Sequence, residues 1–234
     1  MSRVQNPNME ILMLAVNRLA ELADDMVFLG GCATGLLITD SASPPIRVTR
    51  DVDAIVQVAT KHEYYQLAER LREKGFSEDL SEDAPLCRWT SEDVVLDVMP
   101  TNPDILGFGN EWYAIAADNT FEYRLPNKKS IQVVTAPYFL ITKIEAFEGR
   151  GNGDYMYSHD IEDIVAVLEG RPELLEDIAS VGEGIKSALA DKFRTLLNDK
   201  KFMQSIPGHL PSDSVSQQRV PYIIKVIEQV IDIS

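Results

Sequence analysis

The sequence is poor in the residues that usually build zinc centres and disulfide frameworks. Its 234 residues include two cysteines and three histidines. His62, His159 and His209 are too scattered for zinc-ligand spacing. Cys32 and Cys87 both lie in apolar surroundings, which favours reduced, buried thiols. Neither a zinc site nor a disulfide-stapled fold is therefore expected.

Long apolar runs and familiar catalytic motifs are also lacking. No apolar run approaches the roughly 20 residues that span a bilayer. The first residues, MSRVQNPNMEILMLAV, lack the basic region and cleavage site of a secretory signal. No G-x-S-x-G motif or P-loop lysine motif is present. The sequence thus predicts a cytoplasmic protein with no membrane partner, and neither a serine hydrolase nor a P-loop protein.

Positive charge is scarce, with a formal net charge of −15. Broad, non-specific binding of nucleic acid is therefore not expected. Basic residues nevertheless concentrate near the end of the chain, in what we call the basic strip: Lys186, Lys192, Arg194, Lys200, Lys201, Arg219 and Lys225. The strip is either a landing surface for RNA or an ordinary mixed-charge helix face, and the overall composition favours the second.

Hydrophobic periodicity divides the chain near residue 135. Before this point, helical spacing is present over residues 9–23 and 61–74. Four segments are typical of strands: MVFL, RDVDAIVQV, LCRWT and VVLDVMP. The alternation over 111–134 predicts two or three further strands. Afterwards helical periodicity dominates, and IPGHLPSDSVSQQ is the one long loop. The pattern predicts an α/β domain over 1–135 and a helical domain over 136–234.

The stretch FLGGCATGLL places Gly30 and Gly31 between an apolar run and a helical segment. A strand that turns into a helix through two glycines leaves the first helical N–H groups free, beside a backbone that a ligand can approach closely. Such a place suits a phosphate group. Glycines also occur in ordinary tight turns, so this stretch alone does not establish phosphate binding.

Three aspartates form a candidate metal site. Asp51 and Asp53 share one face of a predicted strand, about 6 to 7 Å apart at the backbone. Asp97 interrupts the hydrophobic strand VVLDVMP, where a lone charge has no structural reason to be. Asp51 could instead cap its strand, Asp53 could pair with Arg50 or Arg88, and Asp97 could mark an exposed face. Together with the glycine turn, the three carboxylates favour a site for two Mg²⁺ ions.

In this order, FLGGCATGLL, RDVDAIV and VVLDVMP resemble the nucleotidyltransferase superfamily that includes DNA polymerase β. Within it, the chain is most similar to the AbiE-type (AbiEii) toxins of bacterial toxin–antitoxin systems. That likeness depends on KIEAFEGRGNGDYMYSHDIEDI, where Lys143, Arg150, Asp160 and Asp163 stand in the matching places. The resemblance implies a mixed sheet flanked by helices, followed by a C-terminal helical bundle.

The resemblance also implies roles for individual residues. Asp51, Asp53 and Asp97 would hold two Mg²⁺ ions, or Mn²⁺, and would act as catalytic residues together with Lys143. The triphosphate would lie along the turn formed by Gly30 and Gly31, with further nucleotide contacts from Lys143 and Asp160.

The chain departs from the family pattern at two positions. Cys32 stands where a serine or threonine often contacts phosphate, so that contact would pass to Thr34. His159 precedes Asp160 where an arginine is common. An arginine-dependent contact at His159 is therefore not expected.

The reaction implied is transfer of a nucleoside monophosphate from a nucleoside triphosphate to an acceptor hydroxyl. RNA, and the tRNA end in particular, is the implied acceptor, with the protein acting as a toxin under a cognate antitoxin. Alternatives are a small-molecule or protein acceptor, and a catalytically silent relative that only binds nucleotide. Lys143 could also be a surface lysine beside Glu145, and Asp160 and Asp163 could orient Lys143 or cap a helix.

Overall fold

The computed structural model describes residues 6–233, which form two compact units. The first, here called the sheet unit, comprises Asn6–Gly35 and Arg47–Thr135. The second, the helical unit, comprises Leu36–Ile46 and the chain from Ala136 onward. The first five residues, part of the segment examined for a secretory signal, and the last residue of the predicted helical domain lie outside the described range.

The sheet unit contains a seven-stranded mixed sheet. Its strands are β1 Met26–Leu29, β2 Asp51–Val56, β3 Ser77–Glu78, β4 Arg88–Thr90, β5 Val95–Pro100, β6 Thr120–Arg124 and β7 Ser130–Val134. Its helices are α1 Met9–Leu19, α2 Gly30–Leu37, α3 Lys61–Glu73 and α4 Tyr113–Ala117, and the last two residues of α2 belong to the helical unit. The expected α/β class with a mixed, helix-flanked sheet is thus confirmed.

The strand order is β3-β4-β5-β2-β1-β7-β6. Strand β2 runs parallel to β5 and antiparallel to β1, and β4 pairs antiparallel with β5. In this register Asp53 is opposite Leu29 on one side and Asp97 on the other. The end of β1, the start of β2 and the middle of β5 therefore meet at one place.

Strand β2 shows why the sequence folds in this way. Val52 and Ala54 are completely buried, whereas Asp51 and Asp53 are half-buried on the opposite face. Ile55, which shares a face with the two aspartates, is buried as well. The carboxylates thus occupy the open end of a face that is covered farther along the strand.

The helical unit contains seven helices within the described chain. They are α5 Ala136–Arg150, α6 His159–Gly170, α7 Leu174–Ser180, α8 Glu183–Asn198, α9 Lys200–Ser205, α10 Ser214–Gln217 and α11 Val220–Asp232. Helix α5 packs on α6 and α8, and α11 packs on α8. Among residues 6–233, no helix combines the length and apolar character needed to cross a membrane.

The segment Leu36–Ile46 docks on this helical unit. The backbone N–H groups of Thr39 and Asp40 both donate to the carbonyl of Gly170, and Arg171 donates to the carbonyl of Leu37. The carboxylate of Asp40 pairs with Arg219. This loop is therefore part of a compact unit rather than a free connector.

Two local predictions are wrong in detail, and a third is confirmed in part. The helix expected over 9–23 ends at Leu19, where Ala20 takes a positive φ of 52° and a 3₁₀ helix follows over Ala20–Asp25. Residues 111–134 do form two strands, β6 and β7, but the helix α4 precedes them, just after a turn in which the side chain of Asn110 accepts from the N–H of Trp112. The predicted long loop contains a 3₁₀ helix and α10, whose first turn is capped by Asp213.

Candidate active site

Gly30 forms the turn between β1 and α2 and lies directly against a carboxylate. Its φ is +71°, in the region that only glycine adopts without strain. A Cβ atom placed on Gly30 would lie 1.9 Å from Oδ2 of Asp53. The absence of a side chain at residue 30 is therefore what allows Asp53 to approach the start of α2.

Replacing Gly30 by alanine should lower the free energy of unfolding by about 2–3 kcal/mol, because the methyl group adds a clash with Asp53 to the cost of a positive φ. The matched control is Gly107→Ala. Gly107 has a φ of +78° and nothing within 4 Å of the added atom, so it should lose only about 1 kcal/mol. Chemical denaturation measures both, and equal losses would contradict the close contact.

A second charged side chain, that of Arg47, lies against Gly31 at the start of α2. A Cβ on Gly31 would lie 2.3 Å from Nη2 of Arg47 and 3.3 Å from Oγ1 of Thr49. The guanidinium of Arg47 therefore covers the glycine at the helix N-terminus, where the N–H groups and the helix dipole already favour an anion. Sequence reasoning missed Arg47, although it lies four residues before Asp51.

Asn8 fixes the arrangement of these segments. Its side chain is completely buried. The Nδ2 group donates to the carbonyls of Gly31, at 3.2 Å, and Arg47, at 3.1 Å, while Oδ1 accepts from the N–H of Thr49 at 2.9 Å. One buried amide thus ties the glycine turn to the segment that leads into β2. The sequence gives no signal for this role, because the partners are 23 to 41 residues away.

Arg88 binds two of the three aspartates of the predicted metal site, Asp51 and Asp97. Its Nε donates to Oδ1 of Asp97 at 2.8 Å, and its Nη2 donates to Oδ2 of Asp97 at 2.7 Å and to Oδ2 of Asp51 at 3.1 Å. Asp51 also accepts from the hydroxyl of Thr49 at 2.6 Å. The fork on Asp97 holds the pKa of Arg88 above its ordinary value, so the guanidinium is charged.

As arranged here, no group of three or more histidine, cysteine or acidic side chains within residues 6–233 is placed to hold a metal ion. The donor chemistry still fits a divalent cation, since carboxylates of Asp51 and Asp97 converge on one positively charged nitrogen of Arg88. Asp53 faces the same end of the sheet from the register position opposite Asp97. A metal role for the three aspartates stays a prediction, and it requires the guanidinium of Arg88 to leave Asp51 and Asp97.

The small residues on α2 have other contacts. Thr34 is completely buried, and its hydroxyl donates to the carbonyl of Gly30 at 3.2 Å. The Sγ of Cys32 donates to the carbonyl of Leu29. The phosphate contact predicted for Thr34 would require this side chain to leave its present position.

Both cysteines are buried free thiols, as expected, and burial raises the pKa of the Cys87 thiol to about 12.

The helical unit contains a second ionic cluster, which we call the lysine cluster: Lys143, Arg150, Asp160 and Asp163. The Nζ atom of Lys143 lies 3.0 Å from Oδ1 of Asp160 and 2.8 Å from Oδ2 of Asp163. Arg150 donates to both oxygens of Asp160, at 3.0 and 2.9 Å. The structure therefore brings together the four residues that the sequence resemblance singled out.

In the lysine cluster, burial and the neighbouring positive charges shift the pKa of Asp160 in opposite directions. Lys143 is 7% exposed, Asp160 is 5% exposed and Asp163 is 1% exposed. Burial by itself would raise the pKa of Asp160, but Lys143 and Arg150 hold that pKa below its ordinary value. The ammonium of Lys143 thus serves first to neutralise buried carboxylates, which agrees with the hypothesis that Asp160 and Asp163 orient Lys143.

The basic strip is partly neutralised by neighbouring carboxylates. Lys186 pairs with Glu183, Arg194 pairs with Asp191, and Lys192 pairs with two glutamates, Glu145 and Glu148. Arg219 also pairs with acidic residues, Asp40 and Glu169. These contacts favour a mixed-charge helix face over a continuous surface for RNA.

Comparison with solved structures gives several loose likenesses, two of which are described here. No family model matches the chain, and no curated protein matches it. The fold is similar to an antigenic nucleotidyltransferase-like protein from Paracoccidioides brasiliensis, with 20% identity, 92% of this chain and 97% of that chain covered, and a TM-score of 0.47. It is also similar to a nucleotidyltransferase candidate from H. pylori, with 13% identity, 99% and 96% covered, and a TM-score of 0.46. Neither likeness establishes a substrate or an activity for this chain.

Proposed function

We propose that this protein is a metal-dependent nucleotidyltransferase that moves a nucleoside monophosphate from a triphosphate to an acceptor hydroxyl. The observation that carries the proposal is the contact between Asp53 and Gly30, which sets a carboxylate against a helix N-terminus. A phosphate-binding turn and a metal-binding carboxylate are the two parts that phosphoryl-group transfer needs side by side. Asp97, at the paired register position, adds a third carboxylate.

The carboxylates supply the proposed metal ligands. Asp51, Asp53 and Asp97 would hold two Mg²⁺ ions, or Mn²⁺. When bound, the ions lower the pKa of the attacking hydroxyl and offset charge on the leaving phosphate. Asp97 would hold the ion at the nucleophile side and act as its base only after Arg88 has released its two oxygens, both of which accept hydrogen bonds from that guanidinium.

The glycine turn and Arg47 supply the proposed triphosphate site. Gly30 and Gly31 are buried beneath the side chains of Asp53 and Arg47, so a triphosphate would reach this turn only after those side chains move aside, and the guanidinium of Arg47 would then add positive charge. Lys143 and Asp160 remain proposed nucleotide contacts on the sequence resemblance. In the structure these two side chains bind each other, so a nucleotide role requires them to exchange partners.

The acceptor and the biological role are proposed from the sequence resemblance. We propose RNA, and the tRNA end in particular, as acceptor, and a toxin held in check by a cognate antitoxin as the role. A small molecule or a protein is the alternative acceptor, favoured by the ion pairs that neutralise part of the basic strip.

The test is to incubate the purified protein with Mg²⁺, total cellular RNA and each α-labelled nucleoside triphosphate in turn. Label on tRNA with release of pyrophosphate is the expected result. Label on the protein or on a small molecule would keep the reaction and change the acceptor. No transfer with any nucleotide, in Mg²⁺ or Mn²⁺, would contradict the enzymatic proposal.

A second candidate is a catalytically silent protein that binds nucleotide without reacting. Arg88 favours it, because a guanidinium neutralises Asp51 and Asp97 without any metal. Calorimetry with a nucleoside triphosphate separates the two candidates. Nucleotide binding that is independent of Mg²⁺ and unaccompanied by pyrophosphate release would favour the silent protein.

A further inference from the structure

The position of Arg88 is fixed by the sheet. Arg88 on β4 is the direct Cα partner of Asp97 on β5 in an antiparallel pair. Side chains at such paired positions point to the same face and lie within contact distance. The contact between Arg88 and Asp97 is therefore built into the strand register, whereas Asp51 reaches the same guanidinium from β2.

Arg88 occupies the oxygens that a metal ion would need. Both oxygens of Asp97 and Oδ2 of Asp51 accept hydrogen bonds from this one guanidinium. A divalent ion on the same oxygens would lie beside a positive charge, which is unfavourable at such short range. The side chain of Arg88 is 26% exposed, so the guanidinium has access to solvent if it leaves.

We propose that Arg88 is an internal competitor of the divalent ion for Asp51 and Asp97. In the metal-free protein it neutralises the two carboxylates, and it releases them when the ion binds. Arg88 is thus a positioning residue that sets the metal concentration at which the site fills. This inference rests on the proposed function to the extent that the same carboxylates are taken as metal ligands.

The experiment is calorimetric titration of the full-length protein with Mn²⁺ alone, without nucleotide. Arg88→Gln should lower the Kd for Mn²⁺ by about tenfold or more, because the competing charge is gone. The control is Arg50→Gln, which removes the same charge from the exposed residue next to Asp51; its Kd should change by less than about threefold. Arg88→Lys, which keeps the charge but loses the planar fork, should give an intermediate Kd.

A Kd for Arg88→Gln that equals that of Arg50→Gln, or exceeds that of the wild type, would overturn the proposal and leave Arg88 with a structural role. If Arg88→Gln does not fold, the test uses Arg88→Lys instead. A Kd of Arg88→Lys for Mn²⁺ that equals or exceeds that of the wild type would then overturn the proposal. No Mn²⁺ binding by any variant also overturns it. Tighter Mn²⁺ binding by Arg88→Gln in a protein without transferase activity would uphold this inference while rejecting the proposed reaction.

Discussion

Asp53→Asn is expected to lower the rate of nucleotidyl transfer by at least about 10³-fold while leaving the fold intact. Asparagine keeps the shape of the side chain that packs against Gly30 but removes the negative charge from the proposed metal ligand. Since a neutral amide is a much weaker ligand for Mg²⁺, the loss should appear in the chemical step. Pyrophosphate release under saturating nucleotide and Mg²⁺ measures it.

The matched control for this substitution is Asp93→Asn. Asp93 belongs to the same sheet unit and its side chain is 63% exposed, paired only loosely with Arg18 at 3.7 Å. It should retain activity within about twofold of the wild type, because exposed ion pairs contribute little. Wild-type rates in Asp53→Asn, with thermal unfolding unchanged in both variants, would refute the assignment of Asp53.

Lys143→Met is expected to lower the free energy of unfolding by about 3–5 kcal/mol. The change removes the ammonium that lies 3.0 and 2.8 Å from two buried carboxylates, those of Asp160 and Asp163. Arg150 continues to neutralise Asp160, whereas the contact between Lys143 and Asp163 is lost. Urea denaturation followed by circular dichroism is the measurement.

Lys192→Met is the control for the lysine cluster. Lys192 also bridges two carboxylates in the helical unit, those of Glu145 and Glu148, but these glutamates are 29% and 43% exposed. Solvent screens such a pair, so the expected loss is below about 1 kcal/mol. Similar losses in the two variants would show that Lys143 is no more structural than a surface lysine, and would return it to the nucleotide-binding role alone.

The part of the fold that depends on local pattern was predictable. The sequence predicts that Asp51 and Asp53 share one face of a strand, and the structure confirms this arrangement, with Val52 and Ala54 buried on the other face. The N-cap of α6 depends on equally local chemistry, since the hydroxyl of Ser158 accepts from the N–H of Ile161. Strong periodicity and cap chemistry act over a few residues, so a single sequence is enough to reveal them.

The long-range contacts at the candidate site could not be predicted from the sequence to the same extent. Arg88 was considered as a partner of Asp53, but its fork grips Asp97, because strand register rather than sequence distance selects cross-strand neighbours. The role of Asn8 could not be recognised, because its side chain bonds to three backbone groups that belong to distant segments of the sequence. The roles of Asp51, Asp53, Asp97 and Lys143 in metal and nucleotide binding stay predictions.

The docking of Leu36–Ile46 on Gly170, Arg171 and Arg219 has a practical consequence for dissecting the chain. Neither compact unit is one continuous stretch, so a cut after Thr135 would separate this loop from the residues that it contacts, Gly170, Arg171 and Arg219. Separately expressed halves would therefore understate the stability of each. A circular permutation or a two-fragment complementation that keeps the loop with its helices is the sounder way to divide the molecule.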